Sequence, residues 1–323
     1  MKLIIQIPCF NEEKTLPETV RDLPKSIPGI DEIEYLIIDD GSRDRTVEVA
    51  KEIGIHHVVK FKRNKGLAYG FMAGIDACLR LGADIIVNTD ADNQYRGSDI
   101  GKLVVPILEN TADMVIGSRP IDEIEHFSKQ KKMLQHLGSW VVRCASKTDV
   151  PDSPSGFRAY SRDAAMRLNV VNHFTYTLET IIQAGRTKMA ITSVPIGTNP
   201  ETRKSRLFKG MTNYIKMAST TIIRSFLMYN PLKFFSLIGG GLSVFGLLLI
   251  IRFLILYAIG NGSGHIQSLI FSVIFIILGF LTVIMGLLAD LIAANRKLLE
   301  DIQYRVRKID YNSDSSKSTD EKD

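Results

Sequence analysis

Short apolar runs recur along the first part of the chain, separated by longer stretches of helical patterning. Within residues 1 to about 120 the runs are Leu3–Ile7, Tyr35–Ile38, Val58–Phe61, Ile85–Asn88 and Met114–Ile116. This rhythm predicts βα units around a mostly parallel sheet. Farther on the pattern loosens into a basic amphipathic helix over about Ser128–Lys147, a loop, the run Gly156–Tyr160, a helix over about Thr177–Gly185 and a strand over about Met189–Ile196. Residues 203–230 read as cationic amphipathic helices suited to a membrane surface, with Leu207, Phe208, Met211, Tyr214, Ile215 and Met217 on the apolar side. The pattern then changes in kind. Phe234–Ile251 and Ile266–Ala289 are uncharged runs of about 18 and 24 residues, close to the ~20 that a helix needs to cross a bilayer. The glycine-rich turn Gly260–His265 joins them, so a tight transmembrane hairpin is predicted. The expected organisation is an α/β domain over 1–200, interfacial helices over 201–231, two transmembrane helices within 232–294 (about 232–259 and 266–292), and a tail over 295–323. From about Asn312 the Ser/Asp/Lys content of that tail predicts disorder.

Charge orients this arrangement. Thr202–Lys233 carries Arg203, Lys204, Arg206, Lys209, Lys216, Arg224 and Lys233 with no acidic residue, and the far flank carries Arg296, Lys297, Arg305, Arg307 and Lys308. The positive-inside rule puts both flanks, the soluble domain and the termini in the cytoplasm. Met1–Pro8 reads as a strand entering a folded domain rather than a cleavable signal. Cys9, Cys78 and Cys144 have no metal-ligand spacing, in keeping with a reducing compartment. The net charge of +5 is modest and gathers beside the membrane, which points to anionic lipid and away from nucleic acid. Two helices form a poor self-contained bundle, so self-association is expected.

Three of the first five runs end in polar clusters: Pro8-Cys9-Phe10-Asn11-Glu12-Glu13, Asp39-Asp40-Gly41-Ser42-Arg43-Asp44 and Asp90-Ala91-Asp92-Asn93-Gln94. In a parallel sheet such strand ends share one ligand-binding rim. Asp90, Asp92 and Gln94 offer three oxygen donors within five residues, a set that suits Mg²⁺ or Mn²⁺ and equally describes a solvated turn. Asp44 or Ser42 can cap a following helix. Capping does not account for the adjacent Asp39 and Asp40. No Gly-x-Gly-x-x-Gly follows the first strand, which excludes a dinucleotide-binding dehydrogenase.

Together with Asn64-Lys65-Gly66, Gly117-Ser118-Arg119 and Ser155-Gly156-Phe157-Arg158, these clusters make the chain resemble the inverting family 2 glycosyltransferases of GT-A fold. The predicted hairpin narrows the resemblance to the polyprenyl-phosphate branch, over roughly residues 1–300. It implies a metal-dependent inverting hexosyltransferase that moves one sugar from a nucleotide sugar, UDP-glucose or a similar donor or GDP-mannose, to polyprenyl phosphate on the cytoplasmic face. The product would feed cell-envelope glycan or protein glycosylation. Carried over by position, Pro8, Phe10 and Glu12 would line the base and ribose pocket, with Ile38 and Asp40 beside them and Asp39 in support. Asp90 and Asp92 would border the diphosphate, and Asp92 with Gln94 would hold the metal. Arg119 would meet the lipid phosphate. The family's Arg-Arg pair followed by Ser is replaced here by Lys131-Lys132-Met133-Leu134-Gln135, which keeps the charge and puts Gln135 where the hydroxyl would be. Arg203 and Arg206 are the candidate cations for the donor phosphates.

A phosphate monoester has a second pKa of about 6, so this acceptor arrives already anionic and needs no strong base. Asp92, Asp152 and Arg119 are the expected catalytic residues. Asp152 either orients a sugar hydroxyl, acts as a base or caps a turn; Arg158 is either an ion-pair partner or a phosphate ligand. The six histidines share no spacing and read as structural. Two other functions compete. A processive polysaccharide synthase would need a Gln-x-x-Arg-Trp motif, and Trp140 lacks that setting. A catalytically silent scaffold would not need Asp40, Asp90, Asp92 and Gln94.

Overall fold

The computed structural model describes residues 1–120, 129–171, 175–200, 219–220, 223–224, 227, 229–260 and 265–320. Each apolar run becomes a strand: β1 (Lys2–Cys9), β2 (Glu32–Asp39), β3 (His57–Lys60), β4 (Ile85–Asn88), β5 (Met114–Ser118), β6 (Arg158–Ser161) and β7 (Ile191–Pro195). The intervening helices are α1 (Leu16–Asp22), α2 (Thr46–Glu52), α3 (Leu67–Arg80), α4 (Ile100–Leu108), α5 (Lys129–Ser146), α6 (Arg162–Arg167) and α7 (Thr177–Arg186).

The strands form one sheet in the order β3-β2-β1-β4-β6-β5-β7. β3, β2, β1 and β4 are parallel, as are β5 and β7, whereas β6 runs antiparallel to both β4 and β5. Leu3, Ile4, Ile5, Ile7, Ile85, Ile86 and Val87 are all fully buried, because helices cover both faces of the central strands. Ile100, Leu103 and Val104 of α4 join the core on one face, and Phe71, Ile75, Cys78 and Leu79 are buried on α3. The chain moves outward from β1 to β2 and β3, then returns to place β4 on the other side of β1. That reversal opens a crevice beyond the carboxyl ends of β1 and β4, where ligands of such sheets bind.

The chain divides into residues 1–222 with 302–323, and residues 223–301. The second unit holds α8 (Pro231–Ala258) and the first part of α9 (Ile266–Asp320). Their most apolar windows have mean hydropathy 2.3 and 2.8 with only 11% and 17% of the window buried, so both are candidate membrane spans. They pack through glycines seven residues apart, Gly239 and Gly246 against Gly279 and Gly286. A methyl on Gly279 would lie 2.2 Å from Ser243 Oγ and 2.6 Å from Gly239 O, and one on Gly246 2.8 Å from Ser272 O. Small residues let the two backbones approach this closely.

α9 does not stop near residue 292. It continues to Asp320, across the stretch predicted to be disordered, because no glycine or proline follows Gly286 to break it. Its last part belongs to the first unit, where Arg307 Nη1 donates to Met166 O (3.1 Å) and Leu168 O (2.8 Å) and Tyr311 is buried against Asp76 and Arg80. The predicted interfacial helices fall mainly on residues 201–218, outside the described residues.

Candidate active site

The loops after β1 and β2 are cross-bonded through their backbones. Asn11 N donates to Ser42 Oγ (2.8 Å), Arg43 N to Asn11 Oδ1 (2.8 Å), Glu12 N to Thr46 Oγ1 (2.8 Å) and Glu13 N to Asp44 Oδ2 (3.2 Å). Asn11 sits at φ 56°, a left-handed conformation that asparagine tolerates. At Gly41, φ is 73° and a Cβ would come within 2.7–2.9 Å of the Arg63 and Asn64 backbone, so only glycine lets the loop before α3 close against the other two.

Asp39 and Asp40 face different tasks. Both Asp40 oxygens accept backbone N–H groups at the start of α3, from Lys65 (2.7 Å) and Gly66 (2.9 Å). Burial nevertheless raises the Asp40 pKa above the usual carboxylate range. Asp39 is fully buried; its Oδ1 accepts from Ser42 N (3.0 Å), while its Oδ2 has no hydrogen-bond partner among the described residues. The carboxylate with spare accepting capacity is therefore Asp39. Phe10 is exposed and Pro8 half-buried, both open to a ligand. Glu12 is buried, and its Oε2 accepts from Thr15 Oγ1 (2.7 Å). Ile38 departs from its expected place in the pocket lining: its side chain is fully buried and faces α3, where a Cβ on Gly74 would meet it at 2.7 Å. The alternation of a buried strand turns this residue inward and leaves only its backbone at the rim.

The turn after β4 is braced from below. Asn88 Nδ2 donates to Gly156 O (2.9 Å) and Tyr176 Oη (2.8 Å), and its Oδ1 accepts from Gln6 Nε2 (2.9 Å). Gly156 N donates to Tyr95 Oη (3.0 Å). A Cβ on Gly156 would press on Asp90 at 3.3 Å (Oδ2) and 3.4 Å (Oδ1) and on Tyr176 Oη at 3.0 Å, so the glycine makes room for the Asp90 carboxylate. Asp92 Oδ1 accepts from Gln94 N (3.3 Å), and Asn199 straps the turn by donating to Gln94 O (2.9 Å) and Asn93 O (3.0 Å). Asp90, Asp92 and Gln94 are each half-buried on this turn. No group of three or more His, Cys, Asp or Glu side chains converges on a metal position among the described residues. Two carboxylates and an amide fit a hard cation that keeps open positions for phosphate and water, and do not fit a closed structural site. Burial pushes the Tyr95 phenol up to about 12, so the hydroxyl that accepts from Gly156 N beneath the turn is neutral.

Across the rim, Arg119 follows β5 and is held by Asp152 through three bonds: Nε to Oδ2 (2.7 Å), Nη2 to Oδ1 (3.0 Å) and its backbone N to Oδ2 (3.2 Å). Asp152 is fully buried and the Arg119 side chain 13% exposed. Burial works against the Arg119 charge, but the facing Asp152 carboxylate outweighs it and raises the pKa. Asp152 is thereby engaged in a forked ion pair rather than capping a turn. Among the described residues Arg158 is held by neutral oxygens and not by a carboxylate. It is fully buried and donates to Ser155 O (2.8 Å), Thr177 O (2.9 Å), Thr180 Oγ1 (2.7 Å) and Ser153 O (2.8 Å), which pins the 153–155 loop to α7. Gln135 on α5 is buried with its Oε1 unpartnered among the described residues. Lys131 and Lys132 lie on the first turns of α5, their side chains outside the described residues, and Arg203 and Arg206 lie outside them altogether. Sequence reasoning missed the Gln6, Asn88, Tyr95 and Tyr176 scaffold; its signals were the lone polar residues Gln6 and Asn88 in runs that are otherwise apolar.

Residues 4–168 match the family model described as Glycosyl transferase family 2. The chain is 32% identical over 214 residues to a UDP-N-acetylglucosamine–dolichyl-phosphate N-acetylglucosaminyltransferase of Methanococcus voltae, covering 59% of this chain and 83% of that one. An undecaprenyl-phosphate mannosyltransferase of Micrococcus luteus is 28% identical over 207 residues, 61% of this chain and 83% of its own. An undecaprenyl-phosphate 4-deoxy-4-formamido-L-arabinose transferase of Photorhabdus laumondii aligns over 95% of this chain and 92% of its own at 26% identity. Among solved structures, glucosyl-3-phosphoglycerate synthase of Mycobacterium tuberculosis, in complex with Mn²⁺, UDP-glucose and phosphoglyceric acid, superposes with a TM-score of 0.55 at 19% identity, covering 70% of this chain and 78% of that one. The sheet is accordingly of the GT-A type.

Proposed function

Since this chain belongs to glycosyl transferase family 2, we propose that it moves one sugar, with inversion, from a nucleotide sugar to polyprenyl phosphate at a membrane. The observation that carries the proposal is the convergence of acidic strand ends on one rim with Arg119 across from them, in a chain with two candidate membrane spans. Polyprenyl-phosphate sugar transferases among the relatives support the acceptor. UDP-glucose or a close analogue is the donor in this reading. The basic flanks of the hairpin support a cytoplasmic side for the catalytic domain and both termini in this reading, with the hairpin available for self-association.

The donor lies along the carboxyl ends of β1, β2 and β4. Pro8 and Phe10 border the base, with Asp40 beside them and Asp39 in support, Asp90 and Asp92 flank the diphosphate, and Arg203 and Arg206 are the candidate cations for its phosphates. A Mg²⁺ or Mn²⁺ ion held by Asp92, with Asp90 and Gln94 beside it, would neutralise the charge that develops on the leaving diphosphate. Arg119 uses the N–H groups not engaged by Asp152 to orient the lipid phosphate, with Lys131, Lys132 and Gln135 completing a polar, cationic acceptor pocket. The anionic phosphate attacks unaided, so Asp152 serves by holding Arg119.

The test combines a donor screen with one variant. Membranes containing the protein are given polyprenyl phosphate and a panel of UDP- and GDP-sugars, and the glycolipid is detected by mass. The wild-type chain is expected to form one product with added Mg²⁺ or Mn²⁺, and Asp92→Ala to form none while still partitioning into the membrane. Normal turnover by the purified Asp92→Ala protein would sink the metal assignment, and no glycolipid from any donor would sink the acceptor.

A further inference from the structure

α5 is built inside out. Its inward face carries Gln135, Ser139, Val142, Ala145 and Ser146, all buried and none of them a large hydrophobe except Val142. Ser139 Oγ accepts from Ser153 N (3.2 Å), and a Cβ on Gly185 of α7 would come within 2.2 Å of Ser146 O, so this largely polar face is the one pressed against the domain. The opposite face carries Met133, 64% exposed, then His136, Trp140, 55% exposed, and Cys144. Steps of three, four and four residues align these four along one stripe. An ordinary surface helix in water shows the reverse arrangement, with its large apolar side chains inward.

The charges on the helix name what covers the stripe. Lys129, Lys131, Lys132 and Arg143 stand on α5, Lys147 follows it, and no acidic residue lies among them. A second copy of the chain pairing through this face about a two-fold axis would bring cations against cations. An anionic lipid surface suits this face: tryptophan settles at the headgroup level, methionine enters the acyl boundary, and the cations of Arg143 and Lys147 meet the lipid phosphates. We infer that the outward face of α5 docks on the anionic surface of the bilayer, an attachment separate from the α8–α9 hairpin. It brings the helix that carries Lys131, Lys132 and Gln135 to the depth at which a lipid phosphate is found. The inference rests on the membrane reading of the hairpin and is independent of which sugar is transferred.

Trp140 is the sole tryptophan of the chain, so its emission reports on α5 alone. The full chain is reconstituted into phosphatidylcholine vesicles with or without phosphatidylglycerol, and into the same vesicles with a doxyl quencher near the headgroup in both leaflets. Docking predicts a blue-shifted emission that the doxyl lipid quenches, more strongly with phosphatidylglycerol present, and loss of that quenching in Met133→Glu. The Trp140→Phe protein gives the blank. Emission of a water-exposed indole, unquenched by doxyl lipid, overturns the inference; so does blue-shifted emission that doxyl lipid cannot quench, which means that protein covers the stripe. Carbonate extraction of the same vesicles separates the two readings. A chain that resists extraction but shows no quenching loses only the α5 docking, whereas a chain that extracts loses the membrane reading itself.

Discussion

Asparagine at position 152 keeps the shape of a fully buried carboxylate and removes its charge. In the wild-type chain that carboxylate accepts from Arg119 at Nε (2.7 Å), Nη2 (3.0 Å) and the backbone N (3.2 Å). Breaking one side of a buried ion pair costs about 3–5 kcal/mol when the partner is trapped. Arg119 retains 13% exposure and can turn outward, so a loss of about 3 kcal/mol is expected, read as a fall in the thermal midpoint of about 2–4 °C per kcal/mol. The outward turn also removes the guanidinium from the acceptor pocket. A hydrogen bond to a charged group contributes roughly 1.5–3 kcal/mol, so the KM for polyprenyl phosphate should rise roughly 10- to 150-fold in Asp152→Asn. The assay varies polyprenyl phosphate at saturating donor across a range of pH, with Asp152→Glu as the charge-keeping companion. The KM for the donor should hold within about twofold, because the hydrogen bonds of the Asp152 carboxylate among the described residues go to Arg119. If Asp152 were instead a general base, kcat would collapse, the acidic limb of the pH profile would vanish and the acceptor KM would not move. That pattern refutes the positioning role.

Arg158→Met should cost about 3–5 kcal/mol of stability by stranding the acceptors on Ser153, Ser155, Thr177 and Thr180, and Arg158→Lys should not restore it, because an ammonium cannot span the fork; thermal unfolding of the detergent-purified proteins decides. In the hairpin, Gly279→Ile forces a side chain into Ser243 and Gly239 and should destabilise by about 1–3 kcal/mol or more, whereas Gly240→Ile, with nothing within 4 Å, should be close to neutral. Equal protease resistance of the two variants in detergent would contradict the glycine packing. For Asp44, burial raises the carboxyl pKa, but hydrogen bonds from the Thr46 hydroxyl and the backbone N–H groups of Glu13 and Thr46 outweigh it, so the pKa falls below the ordinary 3.8. A depressed pKa in the folded chain stabilises above that ordinary value and ceases to do so as the pH drops through it to the folded value. The stability gap between wild type and Asp44→Asn should therefore be full at neutral pH and close below about pH 4; a gap that stays constant through acid titration would show that the bonds to Asp44 do not depend on its charge.

The strands of the sheet were legible in the sequence because central buried strands are predominantly apolar, and Leu3–Ile7 and Ile85–Asn88 keep that character apart from Gln6 and Asn88, which bond to each other. Pairing was not legible. Nothing in Arg158–Ser161 says that it inserts antiparallel between β4 and β5, since the alternation of side chains is the same in either direction. The polar strand ends could be read as a shared rim, but not how the work divides within it. That Asp40 is occupied by α3 while Asp39 keeps a spare oxygen depends on a loop more than 20 residues away in sequence. The same holds for Asp152 and Arg119, 33 residues apart, and for Arg158, whose charge allowed an ion pair or a phosphate ligand but whose burial places it among neutral oxygens. Hydropathy ends near Ala289 and so marks the apolar part of α9, whereas the helix itself runs on to Asp320 through a polar stretch without glycine or proline.

The cross-bonding of the β1 and β2 loops has a bearing on how this chain can be altered. Asn11 is tied to Ser42 and Arg43, Glu12 to Thr46, and Gly41 is pressed on Arg63 and Asn64, so these segments behave as one inherited block. Exchanging a single loop for that of a relative would leave its bonding partners mismatched on the far side. A change of nucleotide preference by grafting would require residues 9–13, 39–46 and 63–66 to travel together, and the acceptor half beyond β5 could stay as it is.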